Sequence, residues 1–482
     1  MEGPYLGPPS QTSTIMRASL DQLPQELLFQ ILDQLDKHHH ASLALTCKRL
    51  CIAAASYLFS TVHIYPLEHR LATGTELICS NPRLACLVQH AYLYTPEGWR
   101  DEYVQAKRGM TEDLLGFEDF ERPLDLISKL PKLTRATLCF SKVCTKPYTI
   151  KHVPFNESYR SRRDNLEALF AALANSDSPC TITNLYIRNL QNINHSGLTR
   201  SETFPSVLQK LVSFRLSIVN RYADSRWGGQ LLQPEAHTFM DEFPRIWLQP
   251  LATTKNLSRL FLYSDAYFGF CPKLELRGIH FPNIQTLALG GFTFSHDWQL
   301  DWLVSHKATL KNLYLDNCAL IYQAIIYSTV DAEGYFKDIV RPDFAAAPRD
   351  SWRNYPRRWW WCFDRFRTEL HLRNFCIGYG PWQQRGRDPV EEVENMEISL
   401  VPNRYVCFDE GIEPYQYTDK PVSVLKRDDG RPVSWEPPQC DREDKDALLR
   451  LLKAIGQSVP RGSDIVQKEY RLQDGFVIWD GT

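Results

Sequence analysis

Residues 20–64 carry apolar side chains at helical spacing. In the stretch LDQLPQELLFQILDQLDK, apolar residues recur every three or four positions. Pro24 falls where the first turn of a helix tolerates a residue without an N–H. The pattern predicts a helix from Pro24 to about Leu35, followed by two shorter helices around Ala41–Thr46 and Lys48–Phe59.

The apolar face of the first predicted helix is wide. At 100° per residue it spans roughly 180° of the helix surface. In order around the helix, its members are Leu23, Ile31, Leu27, Leu35, Leu28 and Leu32. Three helices of about 40 residues in total cannot enclose this much apolar surface, because units of this size rarely fold alone. Either the rest of the chain or a second protein must cover the excess, and periodicity alone leaves both interpretations open.

From about Leu84 onward, short apolar runs alternate with polar loops. Seven segments share apolar residues at positions i, i+3 and i+5. They are Val88/Ala91/Leu93, Leu133/Ala136/Leu138, Ile182/Leu185/Ile187, Leu211/Phe214/Leu216, Leu257/Leu260/Leu262, Ile284/Leu287/Leu289 and Leu310/Leu313/Leu315. The alternation predicts short strands, and a repeated strand and turn is typical of leucine-rich repeats. The spacing between successive segments varies, so the predicted repeat is irregular.

Two folds fit this pattern: a curved stack of repeats, or an ordinary α/β domain. In a stack, the residues between the core positions face the concave surface, where aromatic and arginine side chains are the usual anchors of a protein interface. An exposed tyrosine on a strand is as often without any binding role, so both interpretations of these residues remain open. The candidate substrate-binding residues are Tyr186, Arg188, Arg215, Phe261, Tyr263, Tyr314 and Asp316.

Composition narrows the class of protein. With 43% hydrophobic and 23% charged residues over 482 positions, the chain can bury a sizeable core and exceeds the length of one compact domain. The 55 Lys and Arg residues nearly balance the 57 Asp and Glu residues. No net field therefore attracts nucleic acid or an anionic membrane surface, and we expect neither as a partner.

Cysteine usage and the N-terminus bear on the compartment. The 13 cysteines are odd in number and form no C-x-x-C pair, which favours the reducing cytoplasm or nucleus. The start, MEGPYLGPPSQTSTIM, lacks the apolar segment of a signal peptide. No run of about 18 apolar residues predicts a membrane span.

The N-terminal helices resemble a known family. LPQELLFQILDQL, followed by LALTCKRLCIAAASYLF, is similar to the F-box motif in its Leu-Pro start, its apolar pairs, its Cys-Lys-Arg segment and its closing aromatic residue. Leu50 stands where tryptophan is commoner. The resemblance implies a three-helix F-box that binds a Skp-family adaptor and, through it, a cullin scaffold. The residues it implies in forming or supporting the adaptor-binding surface are Leu23, Pro24, Leu27, Ile31, Leu32, Leu35, Leu43, Leu45, Cys47 and Leu50.

The layout of the whole chain, including RYVCFDEGIEPYQYT near the C-terminus, resembles fungal F-box proteins with a repeat body. We expect an α+β or α/β solenoid, in which a small three-helix F-box precedes an irregular, leucine-rich-repeat-like curved stack. The predicted parts are a disordered leader at 1–18, the F-box at 19–64, the substrate-binding body at 65–380, and a loop-rich C-terminal extension at 381–482 with a helix at 444–455.

Two further segments contain candidate chemistry. PRRWWWCFDRFR (Pro356–Arg367) combines arginines with aromatic residues on which bases can stack. In a chain without excess positive charge, a buried aromatic element with solvated arginines is favoured. His38, His39 and His40 are predicted on a loop between the first two helices, where adjacent histidines rarely converge on one metal ion. We expect no metal site and no cofactor.

The sequence contains no common phosphate-binding, dinucleotide-binding, zinc-protease or hydrolase motif. This absence argues against an enzyme. The F-box resemblance implies a non-catalytic, substrate-recruiting subunit of a ubiquitin ligase, with an unknown protein as its target. Two alternatives remain open: an F-box scaffold that binds the adaptor without engaging cullin, and an enzyme whose motif has decayed.

Overall fold

The described residues form a set of N-terminal helices followed by one large sheet with helices between its strands. In the computed structural model these residues are 20–65, 70–95, 121–142, 144, 157–175, 182–220, 234–326, 328–336, 352–380, 393, 396–410, 416–418, 437–458 and 465–466. The leader predicted at 1–18 lies outside them.

A short 3-10 helix, Leu20–Gln22, precedes three α-helices: α1 (Gln25–Leu32), α2 (Lys37–Ala44) and α3 (Lys48–Leu58). Helix α1 is one turn shorter than predicted. Helix α2 begins earlier than predicted, because the Asp36 side chain accepts a hydrogen bond from His39 N at 2.9 Å and so caps its N-terminus. The three consecutive histidines therefore lie on α2, and the loop predicted for them is wrong.

Helix α3 leads almost directly into the sheet. It ends at Leu58 and the first strand begins at Thr61, so Phe59 and Ser60 alone join the two elements. The carbonyl oxygen of Ser60 accepts a hydrogen bond from His90 N at 3.0 Å, which ties this connection to the second strand. The N-terminal helices are thus attached to the sheet by a short, hydrogen-bonded connection.

Thirteen strands within the described ranges belong to the sheet. They are β1 (Thr61–Ile64), β2 (His90–Tyr94), β3 (Arg135–Cys139), β4 (Asn184–Gln191), β5 (Ser213–Val219), β6 (Arg259–Phe268), β7 (Thr286–Phe294), β8 (Asn312–Asp316), β9 (Ala319–Ile325), β10 (Trp352–Asn354), β11 (Asn374–Gly378), β12 (Tyr405–Asp409) and β13 (Gln416–Thr418). Strands β1 to β7 are parallel neighbours in chain order. At β7 the sheet divides into a β8–β11 branch and a β9–β12–β13 branch.

All seven predicted apolar segments lie at the start of parallel strands and share one register. The i+3 residues are direct partners from strand to strand, in the order Ala91, Ala136, Leu185, Phe214, Leu260, Leu287 and Leu313. The i+5 residues pair in the same way, and both rows are buried. Side chains two positions apart point to the same face of a strand, so the two rows form one continuous apolar face.

Two strands with the same spacing were missed in the sequence. Strand β1 continues the two rows with Val62 and Ile64, after Phe59 at the i position, and β11 continues them with Phe375 and Ile377. Each of these two apolar patterns is separated in sequence from the other seven. The β1 pattern directly follows a helical segment, and the β11 pattern follows the Trp-rich segment. The sheet therefore extends beyond the predicted repeat on both sides.

Helices cover the apolar face of the sheet. Helix residues such as Phe170, Leu208, Trp247 and Leu303 join the strand rows in one large buried cluster.

None of the helices in the described ranges combines the length and the apolar character of a membrane span. They are Arg70–Ser80, Pro82–Ala85, Glu121–Ile127, Tyr159–Ala174, Ser196–Thr199, Thr203–Gln209, Pro234–Phe243 with its π-helical continuation Pro244–Leu248, Gln249–Ala252, Asp297–Ser305, Trp359–Glu369 and Asp441–Ala454, besides α1 to α3.

Part of the predicted C-terminal extension is built into the same core. Strand β12 pairs in parallel with β9, and the helix Asp441–Ala454 buries its apolar side against the large cluster. Asp444 on that helix is fully buried and accepts hydrogen bonds from Arg404 Nε (3.0 Å), Tyr405 Oη (2.9 Å) and Trp360 N (2.9 Å). Because a buried carboxylate requires such partners, this network fixes the helix against β12 and the helix Trp359–Glu369.

Gly290 on β7 gives a test of the close packing on the other face of the sheet. A Cβ added there would lie 2.1 Å from Cδ1 of the buried Tyr263 ring. We expect Gly290→Ala to lower the free energy of unfolding by about 1–3 kcal/mol, the usual cost of overpacking a core. Thermal or denaturant unfolding measures the change.

Gly74 is the matched control, because it lies on the helix Arg70–Ser80 and an added Cβ meets nothing within 4 Å. Gly74→Ala should be neutral or stabilise by up to about 1 kcal/mol through helix propensity. Equal effects of the two substitutions would contradict the packing described for Tyr263.

Candidate functional site

The N-terminal helices divide the wide apolar face of α1 between a small core and the surface. Leu28 and Leu32 are buried with Leu50 and Ala53 of α3. On the same helix, Leu27 is 47% exposed and Ile31 is 37% exposed. The module therefore encloses about half of the apolar face that the periodicity predicts.

Polar side chains hold α1 at both ends. The Arg49 guanidinium donates hydrogen bonds to the carbonyl oxygens of Asp21 and Leu23, just before Pro24. At the other end, a ring nitrogen of the buried His40 lies 2.8 Å from the Leu32 carbonyl oxygen. The Tyr57 hydroxyl donates to Asp33 Oδ1 at 2.7 Å. The His40 contact involves a carbonyl oxygen in the last turn of α1, where the helix supplies no i+4 donor. Together these contacts fix the position of α1 against α2 and α3.

The structure places the ten predicted adaptor-binding residues in three environments. Four are exposed and can contact a partner directly: Pro24, Leu27, Ile31 and Leu45. Four are half-buried: Leu23, Leu35, Leu43 and Cys47. Leu32 and Leu50 are buried in the module core and can only support the surface. Whether the exposed residues bind an adaptor remains a prediction.

Ile52 on α3 is an exposed apolar residue that the sequence reasoning missed. It is 67% exposed, and Leu45, just before α3, is 89% exposed. In the α3 sequence, Leu50, Ala53 and Ala54 mark the buried side. At 100° per residue Ile52 lies roughly opposite Leu50, so a helical wheel would have identified it.

The predicted substrate face is not an open surface. Arg188 and Arg215 are partly exposed. The Arg215 guanidinium stacks 4.4 Å from the centre of the Phe261 ring. The other five residues are buried: Tyr186, Phe261, Tyr263, Tyr314 and Asp316. The prediction that all seven residues are accessible to a protein is therefore wrong.

A later part of the chain covers this face. We call Val393 together with residues 396–400 the covering segment. Val393 and Met396 are buried in one cluster with Tyr186, Phe261, Tyr263, Ala288, Tyr314 and Cys376. Ser399 N donates to the Ile377 carbonyl oxygen at 2.8 Å, and Gly378 allows the close approach, since a Cβ there would lie 2.3 Å from Glu397 O. Strand alternation predicts which face a tyrosine occupies but not what packs on that face.

Asp316, at the end of β8, is the most unusual of the seven residues. Its Oδ1 accepts a hydrogen bond from Gly380 N at 2.8 Å, and its Oδ2 has no hydrogen-bond partner among the described residues. Burial raises the pKa of Asp316 to about 7, and the bond from Gly380 only partly opposes this shift. The carboxyl is a source of instability at neutral pH rather than a contact for a partner.

The Trp-rich segment belongs mainly to the core. Trp359, Phe363 and Phe366 on the helix Trp359–Glu369 are fully buried. The neighbouring arginines form ion pairs instead of being solvated: Arg357 with Asp297 at 2.7 Å, and Arg365 with Asp301 at 2.7 Å. These contacts favour the structural interpretation of the segment over base stacking.

Two observations concern metal-binding groups and reactive cysteines among the described residues. Among them, no group of three or more His, Cys, Asp or Glu side chains could hold a metal ion. An open cleft of about 440 Å³ is lined by Cys79, Cys86 and Lys129, besides small residues and prolines. Burial raises the pKa of the Cys79 thiol to about 11, so this thiol stays protonated at neutral pH and is a poor nucleophile.

Asp316→Asn is expected to raise the unfolding temperature near pH 8. Since the folded-state pKa of about 7 exceeds the ordinary value of 3.8, the stability contributed by the protonated carboxyl is complete below about pH 4. That stability is lost as pH rises towards 7. Asn is neutral throughout and keeps the acceptor for Gly380 N, so its advantage should be largest near pH 8 and vanish near pH 4.

Thermal unfolding at the two pH values measures this effect. Asp125→Asn, at an exposed position, is the matched control and should show no such dependence. A parent chain that is more stable than Asp316→Asn at pH 8 would contradict the described environment of the carboxyl.

Comparison with known proteins bears on the N-terminal module. No curated protein matches the sequence of the chain. One family model does match, over a span that contains α1, α2, α3 and β1. F-box domains are generally non-catalytic adaptor modules, and they typically bind Skp-type adaptors in SCF complexes. The family model is described as F-box-like, and it confirms the resemblance of this part of the chain, at residues 20–65, to an F-box.

Proposed function

We propose that the chain is a substrate-recognition subunit of an SCF-type ubiquitin ligase and that residues 20–65 dock a Skp-family adaptor. The observation that carries the proposal is the F-box-like match of a module whose apolar side chains are exposed on α1, on α3 and before α3. Covering a leucine or isoleucine side chain contributes about 1.5–3 kcal/mol. Leu27, Ile31, Leu45 and Ile52 together can supply much of the affinity of a stable complex.

The body is proposed as the part that binds a protein target. Parallel strands that follow one another in chain order, each with the same i, i+3, i+5 frame, support a leucine-rich-repeat-like stack. Such a stack presents a long rigid surface that suits protein recognition. The intervals between successive strands vary in length, and the segments that connect the strands are proposed as further candidate contacts.

The proposed mechanism is proximity. A recruiting subunit holds a target beside a charged conjugating enzyme and raises the effective concentration of its lysines, so it needs fixed geometry and no catalytic residue of its own. Engagement of cullin through the adaptor separates this role from that of an F-box scaffold. The proposed site of action is the cytoplasm, the nucleus or both.

Leu27→Ala combined with Ile31→Ala tests the docking surface. Both side chains are exposed, so the double variant should unfold at about the same temperature as the parent. It should bind a co-expressed Skp-family adaptor at least about tenfold more weakly, because the lost contacts are worth more than 1.4 kcal/mol. Calorimetry or biolayer interferometry of the purified proteins measures the affinity.

Two controls bracket this experiment. Leu77→Ala alters a leucine that is 67% exposed on the helix Arg70–Ser80, outside the module, and should bind the adaptor as the parent does. Leu28→Ala removes a buried neighbour of Leu27 and should instead destabilise the module by about 2–5 kcal/mol. Unchanged adaptor binding by the Leu27/Ile31 variant would refute the proposed surface.

A further inference from the structure

The covering segment occupies an aromatic groove on the face of the sheet opposite the large core. The groove is lined by Tyr186 on β4, Phe261 and Tyr263 on β6, and Tyr314 on β8. Val393 and Met396 fill it, and Ile398 packs at its edge. Two apolar side chains three residues apart therefore act as anchors in one groove.

The charges beside the groove and in the covering sequence are complementary. The sequence around the anchors is Glu-Glu-Val-Glu-Asn-Met-Glu, with Glu391, Glu392, Glu394 and Glu397 flanking Val393 and Met396. On the sheet, Arg215 is the direct register partner of both Tyr186 and Phe261. Arg188 lies on β4, two residues beyond Tyr186, and therefore points to the same face. An apolar and acidic segment thus matches an aromatic and basic strand surface.

We propose that this groove is a docking site for an acidic, turn-forming segment of a partner protein, and that the covering segment, whose Met396 N donates to Val393 O at 3.2 Å, occupies it as an internal competitor. This inference rests on the proposed function, because it assumes that the body recruits a protein. It adds the chemistry of the target: two apolar side chains three residues apart, flanked by Glu or Asp residues. A partner segment with this pattern would replace Val393 and Met396 among the four aromatic rings.

Few contacts hold the covering segment compared with a strand inside the sheet. The backbone of the segment donates from Ser399 N to Ile377 O (2.8 Å) and from Leu400 N to Ile465 O (2.6 Å), and Met396 O accepts from Cys376 Sγ (3.1 Å). Leu400 at its end is buried in the large core, so the part that can leave the groove is Val393 with residues 396–398. Strands β4 to β7, in contrast, are each paired on both sides. A segment anchored in this way can open locally without unfolding the sheet.

Covalent attachment makes the covering segment a strong competitor. A tethered segment experiences an effective concentration on the order of 1 mM, so a free partner of equal intrinsic affinity binds far more weakly than its own contacts allow. The groove would consequently accept only a target that binds more tightly, or one presented when the covering segment is displaced.

The test uses the full chain and a fluorescently labelled peptide with the sequence of residues 390–400, VEEVENMEISL. Val393→Ser combined with Met396→Ser in the chain weakens the internal competitor and leaves the groove intact. Fluorescence anisotropy should show at least tenfold tighter peptide binding by this variant than by the parent. A peptide with its four glutamates replaced by lysine should bind the variant at least tenfold more weakly.

Leu449→Ser, at a surface position that is 37% exposed, is the matched control and should bind the peptide as the parent does. A folded Val393/Met396 variant that binds the peptide no better than the parent overturns the proposal. Retained adaptor binding by that same variant would show that the failure concerns the groove and not the proposed function.

Hydrogen exchange of the parent chain covers the case in which the variant does not fold. The amide of Met396 should exchange at least tenfold faster than those of β5 and β6. Exchange of all these amides at the same slow rate would show that the covering segment opens only with the whole sheet, and would overturn the proposal.

Discussion

The constraint on which the fold depends is the common register of two apolar rows across the parallel strands. From β1 to β8 and on to β11, each strand places a buried residue at the same two positions, and each strand pairs with the next so that these residues are direct neighbours. Because side chains alternate along a strand, a slip of one residue would move a whole row to the opposite face. The rows therefore determine the face of the sheet on which the connecting helices pack.

The same register determines what lies on the opposite face. Residues between the row positions form a row of their own. Tyr186, Phe261 and Tyr314 lie at the same level on alternate strands, with Arg215 and Ala288 on the strands between them. A surface with several large aromatic side chains is unfavourable in water when it is left uncovered. In this chain Val393 and Met396 cover it. Gly378 allows the covering segment to approach the sheet, and Gly290 leaves room for the Tyr263 ring.

Much of the architecture could be predicted because it depends on the spacing of apolar residues within short segments. The i, i+3, i+5 frames predicted seven strands, and the periodicity around Leu27 and Leu32 predicted α1. Other features depend on contacts distant in sequence. The covering segment lies more than 75 residues beyond Tyr314, in a stretch whose glutamates resemble a solvated loop. The partial burial of the α1 apolar face depends on α3. The early start of α2, in contrast, depends on a local capping bond that Asp36 accepts from His39 N, and Asp is a common N-cap residue that the sequence analysis overlooked. Helical periodicity shows that a face is apolar but not how much of it another element covers.

The connection through Phe59 and Ser60 has a mechanical consequence. Flexible tethers of many residues let two bound proteins sample a wide range of separations, whereas a link of this length, bonded to β2 through Ser60, leaves little room for rotation. Anything held on α1 and anything held on the sheet would then keep a nearly constant distance and angle. Under the proposed function, the strand on which a target binds would determine the distance from the adaptor to each lysine of that target. It would therefore determine which lysine the conjugating enzyme can modify.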